Sequence, residues 1–350
     1  MALHQVIQRI LLVGAHLDLP PAPPDPRPPV ILAPLINAIA PAHRDVDERA
    51  LLFGNRYRSG FWAIYLLSAI AVLFAVLPLA LGWDDQRHLL HPFVGFWALG
   101  EVLIISIVAS IYWRGHRRDW QGQWLRARTT AELTWYLPLV APLVDFMPEP
   151  VEPGDEDVDW YARVFDPGQH LKGASDVESL CARIEPLARD TIWRAWSDPG
   201  FIHDYAHWTI EVLNGQRHYH HRVWVRNVAL QRRVHTLNGW LFGLTACGAL
   251  LHLILHTLWL SLVTTFFPAL GASLHGALAQ SESYRLGVSS ERLVNDLDAA
   301  IEQIRAALSL STQLPTAGGV KDSIEAALAL ILEEHQDWHM LVRPHHLPLA

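Results

Sequence analysis

The sequence predicts an all-α integral membrane protein, with four transmembrane helices in two hairpins joined to cytoplasmic helices. Three observations carry this reading. Hydrophobic residues make up 51% of the chain and charged residues 18%, against about a quarter in ordinary soluble domains, and the mean hydropathy is +0.15. Two stretches carry no formal charge at all, 25 residues between Arg58 and Asp84 and 48 between Arg233 and Glu282. A helix needs about 20 apolar residues to cross about 30 Å of hydrocarbon, so the first stretch holds one span and the second, divided near His256–Ser261, holds two. Pro92–Trp113, interrupted only by Glu101, supplies the remaining span. The third observation is the placement of arginine. Arg44, Arg49, Arg56 and Arg58 precede span one, Arg114, Arg117, Arg118, Arg126 and Arg128 follow span two, and Arg217, Arg222, Arg226, Arg232 and Arg233 precede span three. The hairpin tips hold only Arg87. By the positive-inside rule both termini and the middle of the chain are cytoplasmic, which in a bacterium means a multi-pass protein of the inner (plasma) membrane.

Each segment follows in order. Residues 1–42 form an N-terminal segment. Its apolar patch at 6–15 encloses Arg9 and makes a poor secretory h-region, so no cleavable leader is expected. Eight prolines in residues 18–34 read as an extended linker. Residues 43–113 form the first hairpin, with spans at about 61–82 and 93–113. Trp62, Trp83, Trp97 and Trp113 sit near the span ends, where interfacial aromatics belong, and Pro78 is tolerated inside a membrane helix. Residues 114–236 form a cytoplasmic helical region. A helix over 114–139 continues span two, with Trp120, Trp124, Ala131 and Trp135 as its apolar stripe. An acidic, proline-containing loop follows at 145–159, then a helix from Ser175 to Arg194 opened by a Ser175/Glu178 capping box. A longer helix starts at Asp198-Pro199, breaks at Asn214-Gly215 and resumes from Gln216 into span three. Residues 237–280 form the second hairpin, with spans at about 238–257 and 260–280 framed by Trp240 and Trp259. In the C-terminal region 281–350, residues 289–310 align Leu293, Leu297, Ile301, Ile304 and Leu308 on one face. Residues 321–342 open with an Asp322/Glu325 capping box and carry Ile324, Ala327, Leu328, Ile331 and Leu332.

The composition also excludes function classes. A net charge of −8 leaves no basic footprint, so no nucleic-acid partner is expected. Cys181 and Cys247 stand too far apart for a CxxC site or a disulfide framework. The chain lacks a Walker A loop, a GxGxxG fingerprint, a GxSxG elbow and an HExxH helix, so no enzyme, catalytic residue or cofactor is expected. Among the 20 histidines, His203 and His207 have the i, i+4 spacing of a metal-ligand pair, and His218, His220 and His221 follow on the same helix. A built metal site would draw cysteines or carboxylates from another element, so polar-face histidines are the favoured reading.

The ionisable residues within the spans are more pointed. Glu101 lies well inside span two, and His252 and His256 share one face near the outer end of span three. A charged group there is costly and marks a bundle interior or a water-filled path. Three readings stay open: a polar path for an ion or proton, axial ligation of haem, and a Glu–His hydrogen bond that fixes packing. In span four, Gly271, Ala272 and Gly276 belong to a small-residue tract that suits close helix packing.

The tract NRYRSGFWAIYLLSAIAVL entering span one and WRGHRRDWQGQWLRARTTAELTWYLPL leaving span two resemble the SLATT family, the SMODS- and SLOG-associating two-transmembrane effector domains of bacterial conflict systems. Trp193–Trp196, Tyr219-His220, Arg232–Asn238 and FFPALGASLHGALAQSESYR resemble its larger members, which carry a second hairpin. The similarity covers roughly residues 43–310. It implies an effector in antiphage defence, triggered through a nucleotide-sensing partner protein and acting by oligomeric pore formation or membrane disruption. The family defines no catalytic residues. No sensor domain is recognisable, and VIQRILLVGAHLDLPPAPPDP is at most a remnant of one. The expected partners are therefore the lipid bilayer, further copies of the chain and a separate sensor. The rival expectation is a membrane-anchored signalling or scaffold protein whose 114–236 helices bind a partner. A haem- or metal-binding membrane protein is the third.

Overall fold

A computed structural model describes residues 1–143, 175–198, 200–281, 283–311 and 317–341, apart from positions 16 and 18. Among the described residues every regular element is helical: α1 (Leu3–Leu11), α2 (Ala33–Ala80), α3 (Val94–Arg117), α4 (Trp120–Val140), α5 (Ser175–Trp196), α6 (Phe201–Leu255), α7 (Trp259–Gln280), α8 (Ser283–Ser311) and α9 (Ala317–Leu341), with single 3-10 turns at Val30–Leu32, His91–Phe93 and Ala141–Leu143. Four of these helices, α2, α3, α6 and α7, are long and apolar enough to cross a membrane. α2 has 48 residues and α6 has 55, about 72 and 82 Å at 1.5 Å per residue, so each extends far beyond its apolar portion.

The two halves of the molecule differ in packing. At the apolar end the four helices stand in a row: α3 packs on α2, α2 on α7 and α7 on α6, with no comparable contact between α3 and α6 or between α3 and α7. The row is left open at both edges. Phe96, Leu99, Val102 and Leu103 of α3 and Trp240, Phe242, Leu250 and Leu253 of α6 are all exposed. Close approach at the row's centre depends on Gly276, where a Cβ would lie 2.5 Å from the Tyr65 ring of α2. Gly100 meets Phe74 in the same way, with 2.6 Å to the ring, and sets α3 against α2. Both hairpin turns, 81–93 and 256–258, lie at this end.

The opposite end is a conventional helical base. The lower half of α2 runs beside α4, and α8 packs along α6 with α9 against it. Its core takes Leu32, Leu35 and Ile39, then Leu133, Tyr136, Leu137 and Leu139, then Ala188 and Ile192, and then Phe201, Tyr205 and Leu213. The predicted stripe of α8, Leu293, Leu297, Ile301, Ile304 and Leu308, is buried throughout, as are Ile324, Ala327, Leu328 and Ile331 of α9. A second core at the foot of the row joins Tyr57, Phe61, Trp62, Trp124, Leu230, Val234, Leu274 and Ala277.

Several elements differ from the sequence reading. Helix α2 starts at Ala33, with Pro34 in its first turn, about ten residues before the expected boundary at 43. The proline-rich stretch ahead of it carries no regular element over 19–29, as an extended linker would, but its end is tied to the base. Leu32 is fully buried, the Val30–Leu32 turn contacts α5, and the Arg27 N–H donates to Glu211 at 2.9 Å. The helix leaving α3 is interrupted at Asp119, which takes a left-handed conformation (φ 44°) and caps α4 by accepting the Gly122 N–H at 3.1 Å. Of the predicted stripe Trp124 and Ala131 are buried and Trp120 is half-buried, but Trp135 points outward, and Leu133, Tyr136 and Leu137 complete the buried face. No break occurs at Asn214-Gly215. The α8 helix packed along α6 outweighs the weak local propensity, and Asn214 Nδ2 donates to the Ile210 carbonyl at 3.0 Å. Helix α9 begins at Ala317, so Asp322 lies in its second turn and does not cap it. The acidic loop 145–159 and the side chains of Ser175, Glu178 and Leu332 lie outside the described residues.

Candidate functional site

Between the two cores lies a cavity of about 440 Å³. α2 enters it with Arg58 just below the apolar run, and α4 contributes Gln121, Trp124, Arg128 and Glu132. α6 contributes Gln216, Tyr219, His220 and Arg226, and α8 adds Ser283, Ser289 and Ser290. α1 closes one side: His4 Nδ1 lies 3.2 Å from Ser59 Oγ, and the Gln8 side-chain oxygen accepts from Arg226. Gln280 Nε2 at the foot of α7 donates to the Tyr57 hydroxyl at 2.9 Å. Both hairpins and the base therefore share one polar chamber.

The charge in it is unbalanced. Three guanidiniums reach it from three helices, Arg58, Arg128 and Arg226, and Glu132 is the single carboxylate lining it among the described residues. Glu132 is ion-paired with Arg128 one turn away. Arg58 lines the cavity and keeps accessible surface. Its guanidinium sits 4.8 Å from the centre of the Trp124 ring, which itself stacks on Tyr57. Burial, together with Arg128 and Arg226, pulls the Arg58 pKa below its ordinary value. Burial also lowers Arg226, with Arg222 and Arg9 adding to it. For Arg128, burial works against the charge, but Glu132 and Tyr219 outweigh it and the pKa rises. Burial raises the Glu132 carboxyl in spite of Arg128 beside it. The two imidazoles are neutral at ordinary pH: burial, then Arg58 and Arg226, bring His4 from 6.5 to about 4, and burial with Arg128 brings His220 to about 4.

The residues singled out in the sequence are dispersed. Glu101 is half-buried on the α3 face that also carries Trp97, Ile104 and Val108, and it forms no hydrogen bond or ion pair among the described residues. His252 and His256 are exposed at the end of α6, where His256 takes a left-handed conformation (φ 48°) and caps the helix through its N–H to the His252 carbonyl. With α2 and α7 standing between α3 and α6, Glu101 and His252 do not meet within one protomer. Of the small residues, Gly276 meets α2 and Gly271 meets Asn238 and Leu241 of α6, whereas Ala272 is exposed and takes no part in packing. His203 is half-buried and His207 exposed, and among the described residues no group of three potential metal ligands forms. His220 of the HYHH run does enter the cavity, 3.4 Å from Ser290.

Comparison with protein-family models, with curated proteins and with solved structures returned no match. The cavity went unrecognised in the sequence because its arginines read as topology signals. One pattern was available: Arg128 and Glu132 stand one turn apart on a helix whose Trp124 and Leu125 are apolar, which puts an ion pair on a packed face.

Proposed function

We propose that the chain is a multi-pass membrane effector that works as an oligomer, its row of four helices lying in the bacterial inner membrane and its base in the cytoplasm. The observation that carries this reading is the open row. A lone protomer encloses no path, and its edge helices leave apolar faces of a size that belongs in lipid or against further copies. Several protomers with one face of the row turned inward would close a pore whose wall carries Glu101 in the α2–α3 groove and His252 and His256 at the tip of α6. The arginine distribution supports this orientation, since the base and its junction with the row hold the clusters and the turn end holds only Arg87. The resemblance to SLATT effectors supports the same role in a conflict system, in which a sensor protein supplies the trigger.

The test is membrane potential in bacteria producing the protein, with Glu101→Ala alongside. Depolarisation in the wild type that the variant loses supports a pore with a carboxylate in its path. Depolarisation in both keeps the effector and removes Glu101 from its wall. A protein that stays monomeric in the membrane by cross-linking, and leaves the potential intact, overturns the proposal in favour of an anchored signalling protein.

A further inference from the structure

We infer that the chamber below the row is a binding site for a small phosphate monoester, held by Arg58, Arg128 and Arg226. This inference stands apart from whether the assembly conducts, because it concerns binding alone. Three guanidiniums from α2, α4 and α6 converge on one volume with one carboxylate against them, an excess of two positive charges. Like charges gathered around one cavity repel one another, and Arg128 and Arg226 add to burial in lowering the Arg58 pKa. Arg58 has no carboxylate partner among the described residues; its guanidinium rests on the Trp124 ring. A doubly charged anion would neutralise that excess.

The geometry selects among anions. A planar carboxylate presents two oxygens on one side, whereas a phosphate monoester presents three around a tetrahedron and carries a charge of about −1.5 to −2 at neutral pH. Guanidinium forks approaching from three helices suit the second. The Tyr219 hydroxyl lies within the field of all three arginines, and Ser289 and Ser290 offer further donors. The cavity, at about 440 Å³, is far larger than a phosphate group, so an organic portion fits beside it. The aromatic residues that line the cavity on the α2 and α4 sides are Tyr57 and Trp124. The position, where α2 passes from its polar half into its apolar run, admits the ester from the cytosol or as a lipid headgroup.

The experiment uses the full chain in a maltoside detergent and in nanodiscs. Adenosine monophosphate titrated against the detergent-solubilised protein probes a soluble ester. Phosphatidylcholine nanodiscs with and without phosphatidic acid probe a lipid one. Melting temperature reports binding in both arms, and calorimetry measures affinity in the first. At least one arm is expected to give saturable stabilisation, with the binding midpoint weakened at least tenfold in Arg58→Gln and in Arg226→Gln and unchanged in the surface control Arg305→Gln. A response to the nucleotide alone assigns a soluble ligand, and a response to phosphatidic acid alone assigns a headgroup. Arg226 reaches the chamber beside α1, so Arg226→Gln keeps the test decisive if Arg58→Gln does not fold, with circular dichroism as the check. No stabilisation in either arm overturns the inference, and so does wild-type affinity in either arginine variant that is folded.

Discussion

His4 and His220 are buried as neutral imidazoles beside arginines, each with a pKa near 4 in the folded protein against 6.5 in a free chain. Because the unfolded chain binds protons more readily, stability is full above pH 6.5 and falls as the pH drops from 6.5 towards 4, by up to roughly 3 kcal/mol per histidine. Thermal melting at pH 7, 5.5 and 4.5 should show a progressive loss that His220→Asn reduces. An unchanged acid dependence in that variant would place the responsible protons elsewhere. Gly276 is the matching steric case. A leucine there must displace the Tyr65 ring, separating α7 from α2, and the cost expected is about 1–3 kcal/mol, read as a lower melting temperature.

At the scale of the element, α6 makes the clearest prediction. Gly215 sits inside an unbroken helix with open space around its Cβ position. Gly215→Ala should therefore stabilise the protein by about 0.5–1 kcal/mol, and Gly215→Pro should cost about 3 kcal/mol. If the alanine destabilises and the proline is neutral, the helix is interrupted there after all. Asn-Gly is a turn signal by local propensity, which is why the sequence suggested a break; α8 packed along the helix is invisible to a local reading. The apolar helices and the amphipathic stripe of α8 were legible because hydropathy and a 3.6-residue period are local properties. Ile304, within that stripe, is fully buried, and Ile304→Ala should cost about 2–5 kcal/mol in a denaturation curve. Asp119 was not legible, since nothing in the neighbouring residues requires its left-handed turn. The cavity was not legible either. Arg58, Arg128 and Arg226 come from three helices far apart in the chain, and only tertiary packing brings them to one place.

On the scale of the whole molecule, the row and the base have opposite designs. The base buries its apolar residues in its own core, whereas the edges of the row leave theirs uncovered. In a membrane this difference predicts that association runs through the edges. Single cysteines at Leu103 of α3 and Leu250 of α6, both exposed and introduced after Cys247 and Cys181 are replaced, should cross-link between protomers in native membranes. Absence of any intermolecular product from either position would argue that the functional unit is a monomer. Finally, α6 contains no proline and runs without interruption from the base core, past the chamber wall, to the turn at His256. It is a stiff lever about 82 Å long with the chamber near its middle. A tilt of only about 5° about its lower end would sweep its tip through roughly 7 Å, more than twice the width of a water molecule. A shift too small to disturb the base would thus arrive at the far surface as a displacement on the scale of a gate.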